Sequence, residues 1–140
     1  MLFRSCGAVP ALERYGGLVA ETWVPRLTMP DYANGALAGQ AFTEKQAGSD
    51  LRQTITRAEP AGDGTYELWG HKWFCSAPMC DVFLTTARTD AGLTCFLVER
   101  GPGFELVRLK EKLGTRALPS AEIEFRGARE IGRASCRERV

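Results

Sequence analysis

Phe42-Thr43-Glu44-Lys45-Gln46-Ala47-Gly48-Ser49-Asp50 and, further along, Gly70-His71-Lys72-Trp73-Phe74-Cys75-Ser76 are the two segments that decide how this chain is read. The first carries hydroxyls at both ends of a polar loop. Gly48 permits close backbone approach, so amides and the Thr43 and Ser49 side chains can converge on an acceptor-rich ligand. The second sets Trp73 and Phe74 beside the Ser76 hydroxyl, an arrangement suited to packing a flat ring and hydrogen bonding its edge.

Both segments lie in a region with the rhythm of a β protein. Strand-like stretches run over Ala38–Thr43, Arg52–Ala58, Tyr66–Phe74, Val82–Thr89, Leu93–Glu99, Phe104–Leu109 and Ala121–Phe125, punctuated by Gly, Pro and Asp. Ala61-Gly62-Asp63-Gly64 and Asp90-Ala91-Gly92 suit tight hairpin connections, because Gly and Asp tolerate positive φ. Thr54, Thr56 and Ala58 alternate with Ile55 and Arg57, and Glu122, Glu124 and Arg126 alternate with Ile123 and Phe125, so each strand should have one wet face. The fold class is mainly β, a small antiparallel barrel or sandwich. Before it, Leu12, Tyr15, Leu18, Val19 and Trp23 recur at helical spacing from Pro10 to about Leu27. That helix should be interrupted near Pro25, and Met29–Gly35 should be a linker.

The 140 residues are 44% hydrophobic and 25% charged, the balance of a globular domain with a real core. No stretch approaches the roughly 20 apolar residues of a membrane span. The start lacks an apolar region of leader length, which makes the cytoplasm the expected compartment. Five cysteines and a single histidine, His71, follow no metal-ligand spacing and read as reduced, mostly buried thiols with no metal. Both ends look foreign. Ile131–Val140 matches a short-read sequencing adapter translated in one frame, and Met1–Ser5 matches its companion, so residues 1–5 and 130–140 are set aside from fold reasoning. Without Arg4, Arg133, Arg137, Arg139, Glu130 and Glu138 the interior holds 14 basic and 15 acidic residues, a net charge of −1. Such a balance offers no nucleic-acid surface through this segment.

With these residues in view, the chain resembles the middle β-domain of acyl-CoA dehydrogenases. The resemblance rests on the Thr43-to-Asp50 loop, the Gly70-to-Ser76 strand, the Leu93–Val98 strand and Lys112-Leu113-Gly114-Thr115-Arg116, and covers nearly all of Ala36–Arg129. Thr43–Asp50 and His71–Phe74 look most like the alkylation-response, AidB-type branch. The resemblance implies that residues 6–35 end a helical domain and its linker, that 36–129 form an FAD-binding middle β-domain, and that a C-terminal helical domain is missing. It implies FAD as cofactor and an acyl-CoA-type substrate, oxidised across a CH–CH bond with hydride passing to the flavin. An electron-transfer partner and a homotetrameric parent are implied as well. An alternative is a flavoprotein of the DNA alkylation response whose DNA-binding surface lies in the missing C-terminal domain.

Carried over residue by residue, the cofactor-binding set would be Ala41, Phe42, Thr43, Ser49, Phe74, Cys75 and Ser76. Thr43 would bond the flavin ring with backbone help from Ala41 and Phe42. Ser49 would lie near the pyrophosphate and also bind substrate. Phe74 stands where most relatives have Trp, Ser76 where they have Thr, and Cys75 where many have Ile. Lys45-Gln46 replaces the usual Pro-Gly. No catalytic residue is expected here, because the family's base comes from the C-terminal domain, and Glu44 is not that base.

Taken singly, the same residues have plainer readings. Thr43 and Ser49 would be turn hydroxyls, and His71 a structural hydrogen-bonding residue. Cys75, Cys80 and Cys95 would be packing residues, and Lys110-Glu111-Lys112 a solvated charge run. Trp73 and Phe74, adjacent on a strand, should face opposite sides, with Phe74 toward the ligand.

Overall fold

The computed structural model describes residues 2–134. Two helices, α1 (Leu2–Tyr15) and α2 (Leu18–Thr28), precede seven strands: β1 (Ala38–Thr43), β2 (Arg57–Pro60), β3 (Tyr66–Ser76), β4 (Val82–Thr89), β5 (Gly92–Glu99), β6 (Phe104–Leu109) and β7 (Ser120–Ala134). The mainly β architecture is the expected one, and β1, β4 and β6 have the expected bounds. Pairing runs β3 to β2, β2 to β4, β4 to β5, β5 to β7 and β7 back to β3, which closes a barrel, with β6 added on β7. The pairs are antiparallel except β1–β4 and β2–β4.

Alternation and burial explain the layers. Leu68, Phe83, Phe96, Val98, Ile123 and Phe125 fill the barrel. Ala8, Leu12, Trp23 and Leu27 of the helices cover Ala38, Val82, Leu84 and Leu97 on its outside. Because β4 is buried on both faces from Val82 to Ala87, its sequence is a continuous apolar-to-threonine run rather than an alternation. Gly39 on neighbouring β1 makes room for this packing: a Cβ there would come within 2.5 Å of the Phe83 ring.

Three expectations are corrected. The helix breaks at Gly16-Gly17, where Gly17 takes a φ of 52° that a side chain would resist, and not at Pro25, which lies inside α2. Burial of Trp23 and Leu27 holds that turn against the sheet and offsets the proline's lost hydrogen bond. Arg52–Ala58 is not one strand: Leu51–Gln53 is a 3₁₀ turn capped by Asp50, and β2 begins at Arg57. The alternation over Thr54–Ala58 is present, but the threonines are the buried set and Ile55 is exposed. β7 continues to Ala134, pairing Glu130–Ala134 with β5, and Ser5 Oγ accepts the Ala38 amide at 3.0 Å. The strand continues there through backbone pairing with β5, with Ile131 packed against the helix-side core and Gly132 leaving room for Val19. Residues 135–140 of the adapter-like end lie outside the described residues.

The late start of β2 has a specific cause. β1 and β2 occupy the same slot between β3 and β4, one beyond the other. Where β1 ends and β2 has not begun, Glu44 substitutes for a strand. Its carboxylate accepts the Ile55 amide (2.8 Å), the Thr56 amide (3.2 Å), the Thr56 hydroxyl (2.5 Å), the Gln46 side-chain amide (2.6 Å) and the Lys72 ammonium (2.7 Å). Lys72, fully buried on β3, also donates to the Thr86 carbonyl on β4 at 2.8 Å. Burial pushes the Glu44 carboxyl up, but the Ile55 amide, Lys72 and Thr56 outweigh it and hold it below its ordinary value. Burial draws Lys72 below the usual lysine value, opposed by Glu44.

Glu44→Ala should therefore cost about 3–5 kcal/mol in urea unfolding, since it strands a buried ammonium. Glu44→Leu combined with Lys72→Met should recover only part of that loss, because the Ile55 and Thr56 amides still lack an acceptor.

Candidate functional site

The C-terminal ends of β1 and β3 run antiparallel, with Thr43 opposite Phe74 and Gln40 opposite Ser76. The following loop turns back as the Glu44 amide bonds the Ala47 carbonyl at 2.6 Å, and a Cβ at Gly48 would lie 3.5 Å from the Thr43 methyl group. The two segments are thus one surface. Thr43, Ser49, Phe74 and Ser76 reach it with their side chains, and Phe74 is 41% exposed. The Thr43, Ser49 and Ser76 hydroxyls make no hydrogen bond to another group among the described residues, so they remain open to a ligand.

The other expected residues face elsewhere. Ala41 is fully buried and its carbonyl accepts the Thr85 hydroxyl at 2.6 Å. Phe42 packs against the helix-side core. Cys75 is fully buried in the barrel core. Any contribution of these three to a ligand on the outer surface passes through the backbone.

Strict alternation at Trp73-Phe74 is corrected. The β3–β7 register shifts between Lys72 and Cys75, both of which are buried, and the two aromatic residues between them both lie on the outer side. Both rings touch the same cation. The Lys110 ammonium sits 3.0 Å from the Trp73 ring centre and 4.8 Å from that of Phe74. Lys45 and Arg108 also lie over Trp73, at 4.6 and 5.9 Å.

Lys110 is not part of a solvated charge run. Its side chain is 7% exposed and bonds Glu122 at 2.6 Å, and Arg108 bonds the same carboxylate oxygen at 2.6 Å. Lys112 is engaged as well, donating to the Leu118 carbonyl and to the Ser120 hydroxyl (3.2 Å), which closes the β6–β7 connection. His71 fills the structural role expected of it: Nδ1 lies 2.8 Å from Glu124 and Nε2 3.3 Å from Glu122. Glu44, Lys72, Lys110 and Glu122 were missed as site-shaping residues. A signal existed for Lys72, which shares strand parity with buried Leu68; none existed for Lys110, whose partners come from β3 and β7.

Two surface clefts involve neighbouring residues. One of about 450 Å³ lies along Lys110, Glu111, Lys112 and Arg116; the other, about 590 Å³, runs past Trp69, His71 and Glu124. Neither of these two clefts is lined by Thr43 or Ser76. Four cysteines, Cys6, Cys75, Cys80 and Cys95, form no disulfide among the described residues, and no metal-holding group of side chains occurs among them. No described helix is long and apolar enough to cross a membrane.

Lys110, with Arg108, holds the Glu122 carboxyl at about 2 against the effect of burial. Since the folded state keeps this charge to lower pH than the unfolded chain, its contribution to stability is complete above pH 4.5 and is lost as pH falls toward 2. Urea melts across that interval should show a shallower acid decline for Glu122→Gln than for the unmodified chain.

The same domain occurs in known proteins. Residues 39–128 match the family described as acyl-CoA dehydrogenase, middle domain. AidB of Escherichia coli strain K12 is 43% identical over 117 residues, which is 79% of this chain and 22% of that protein. The structure of Caenorhabditis elegans ACDH-11 in complex with C11-CoA superposes with a TM-score of 0.87 at 36% identity, over 95% of this chain and 26% of that one. A Mycobacterium smegmatis glutaryl-CoA dehydrogenase in complex with FADH2 gives 0.76 at 30% identity, over 88% and 31%. The chain thus spans about a quarter of the length of these relatives. Through the domain that carries the Thr43–Phe74–Ser76 wall, it belongs to the acyl-CoA dehydrogenase family.

Proposed function

We propose that this chain supplies one wall of an FAD site in a protein that oxidises acyl thioesters across a CH–CH bond. The observation that carries this reading is the convergence of three open hydroxyls, Thr43, Ser49 and Ser76, with the exposed Phe74 ring on one face of the family's middle domain. A flat, acceptor-rich ring system fits that donor set: Phe74 offers a stacking face, while the hydroxyls and the strand-end amides offer edge donors. When bound, FAD supplies the redox chemistry. The residues here bind and orient it, with Ser49 placed on an exposed loop where it can also meet the substrate arm. Glu44 is unsuited to proton abstraction, since it is 3% exposed and holds the Lys72 ammonium. The base lies outside this chain, the parent is a homotetramer that passes electrons to a transfer partner, and the cytoplasm is the compartment in which we place it.

Titrating FAD with the chain should quench flavin fluorescence. Thr43→Ala and Ser76→Ala should each weaken binding about threefold to tenfold, the loss of one hydrogen bond. Absence of quenching by the unmodified chain would overturn the flavin reading.

A second reading, favoured by the 43% identity to AidB, is a flavoprotein of the DNA alkylation response. Under it the DNA surface lies outside this chain, whose residues between the adapter-like ends carry a net charge of −1 and no concentrated basic surface. Duplex DNA should then show no salt-dependent binding to the chain alone.

A further inference from the structure

Lys45, Arg108 and Lys110 gather on the Trp73 ring from three different parts of the chain: the loop after β1, the end of β6 and the start of the β6–β7 connection. Among the described residues one carboxylate, Glu122, is bonded into this group, through Arg108 and Lys110. Three cations against one anion leave two positive charges over a pair of outward-facing aromatic rings. The most central of them, Lys110, is the least exposed. Its stem is buried, Glu122 holds its ammonium at 2.6 Å, and that ammonium lies on Trp73 and beside Phe74.

Two consequences follow from this geometry. Lys110 lies over both rings but much closer to Trp73, which Lys45 and Arg108 also cover, so Phe74, 41% exposed, is the more open ring for a planar ligand to stack on. A ligand stacked there also meets a fixed positive wall in a partly desolvated setting, where a charge interaction is stronger than in bulk water.

We propose that Lys110, seated by Glu122 and reinforced by Lys45 and Arg108, is a positioning residue that reserves Phe74 for the ligand ring and favours that ring in its anionic state over its neutral one. The inference rests on the flavin reading above, and deepens it: two-electron reduction of a bound flavin with uptake of one proton yields an anionic ring, whereas the oxidised ring is neutral. The positive wall then binds the reduced form more tightly than the oxidised form and raises the midpoint potential of the bound couple. Glu122 serves by holding Lys110 in place, and its own charge is kept by the same two cations.

The experiment measures dissociation constants of oxidised and of dithionite-reduced FAD for the 140-residue chain and for Lys110→Met, Lys110→Arg and Lys45→Met. Lys110→Met should lose about tenfold of the preference for reduced over oxidised FAD, equivalent to a fall of about 30 mV in the midpoint of this two-electron couple. Lys110→Arg should retain the preference, because it keeps the charge over the rings. Lys45 is exposed and makes its ring contact from a loop, so Lys45→Met should fold normally and shift the ratio in the same direction by a smaller factor. An unchanged ratio in Lys110→Met overturns the inference; should that variant fail to fold, an unchanged ratio in Lys45→Met does so. Both results leave the flavin reading standing, whereas failure of the unmodified chain to bind either form of FAD removes that reading and this inference together.

Discussion

The buried contact between Lys72 and Glu44 is the constraint on which the rest of the barrel depends. β1 and β2 share one slot between β3 and β4, and a shared slot leaves a gap where neither strand provides ladder hydrogen bonds. Unpaired backbone amides in a barrel interior are costly. Glu44 collects the Ile55 and Thr56 amides, but a carboxylate can be buried there only with a compensating charge, and Lys72 provides it while also bonding the Thr86 carbonyl. One ion pair thus joins β1, β2, β3 and β4. It also fixes the surface shared by Thr43 and Phe74, because Thr43 immediately precedes Glu44 and the irregularity that turns Trp73 and Phe74 outward immediately follows Lys72.

A second carboxylate organises the outer side. Glu122 lies on β7 beneath the cover of β6, where it binds Arg108 and Lys110 and approaches His71. The two acids work in opposite settings. Glu44 ties the interior together and is closed to solvent, whereas Glu122 anchors cations whose free sides remain turned toward the aromatic surface. The first determines where the wall stands; the second determines what charge it presents.

Much of the fold was legible in the chain because strand periodicity, turn glycines and an amphipathic helix are local signals. β1, β4 and β6 could be bounded from such signals alone. The failures share a different origin. Arg52–Ala58 reads as one strand because Thr and Ile favour extended backbone, yet the amides of residues 52–54 bond Asp50 and Leu51, and those of Ile55 and Thr56 are captured by Glu44, at least eleven positions away. Trp73-Phe74 was read by simple alternation, which a bulge sets aside. Pro25 was read as a helix stop, but burial of Trp23 and Leu27 outweighs it. Of the candidate site, Thr43, Ser49, Phe74 and Ser76 were found on the surface, while Lys110 read as solvated because its partners Trp73 and Glu122 are distant along the chain.

By itself the sequence determined the mainly β class, the order of the strands and the two polar–aromatic segments that mark the family, since each is encoded in residues close together along the chain. Only the tertiary structure decided that those segments form a single wall, that both aromatic rings face outward, and that Lys110 lies against them. Those outcomes depend on strand register and on where buried charges find their partners, and both are settled by contacts between residues far apart in the chain.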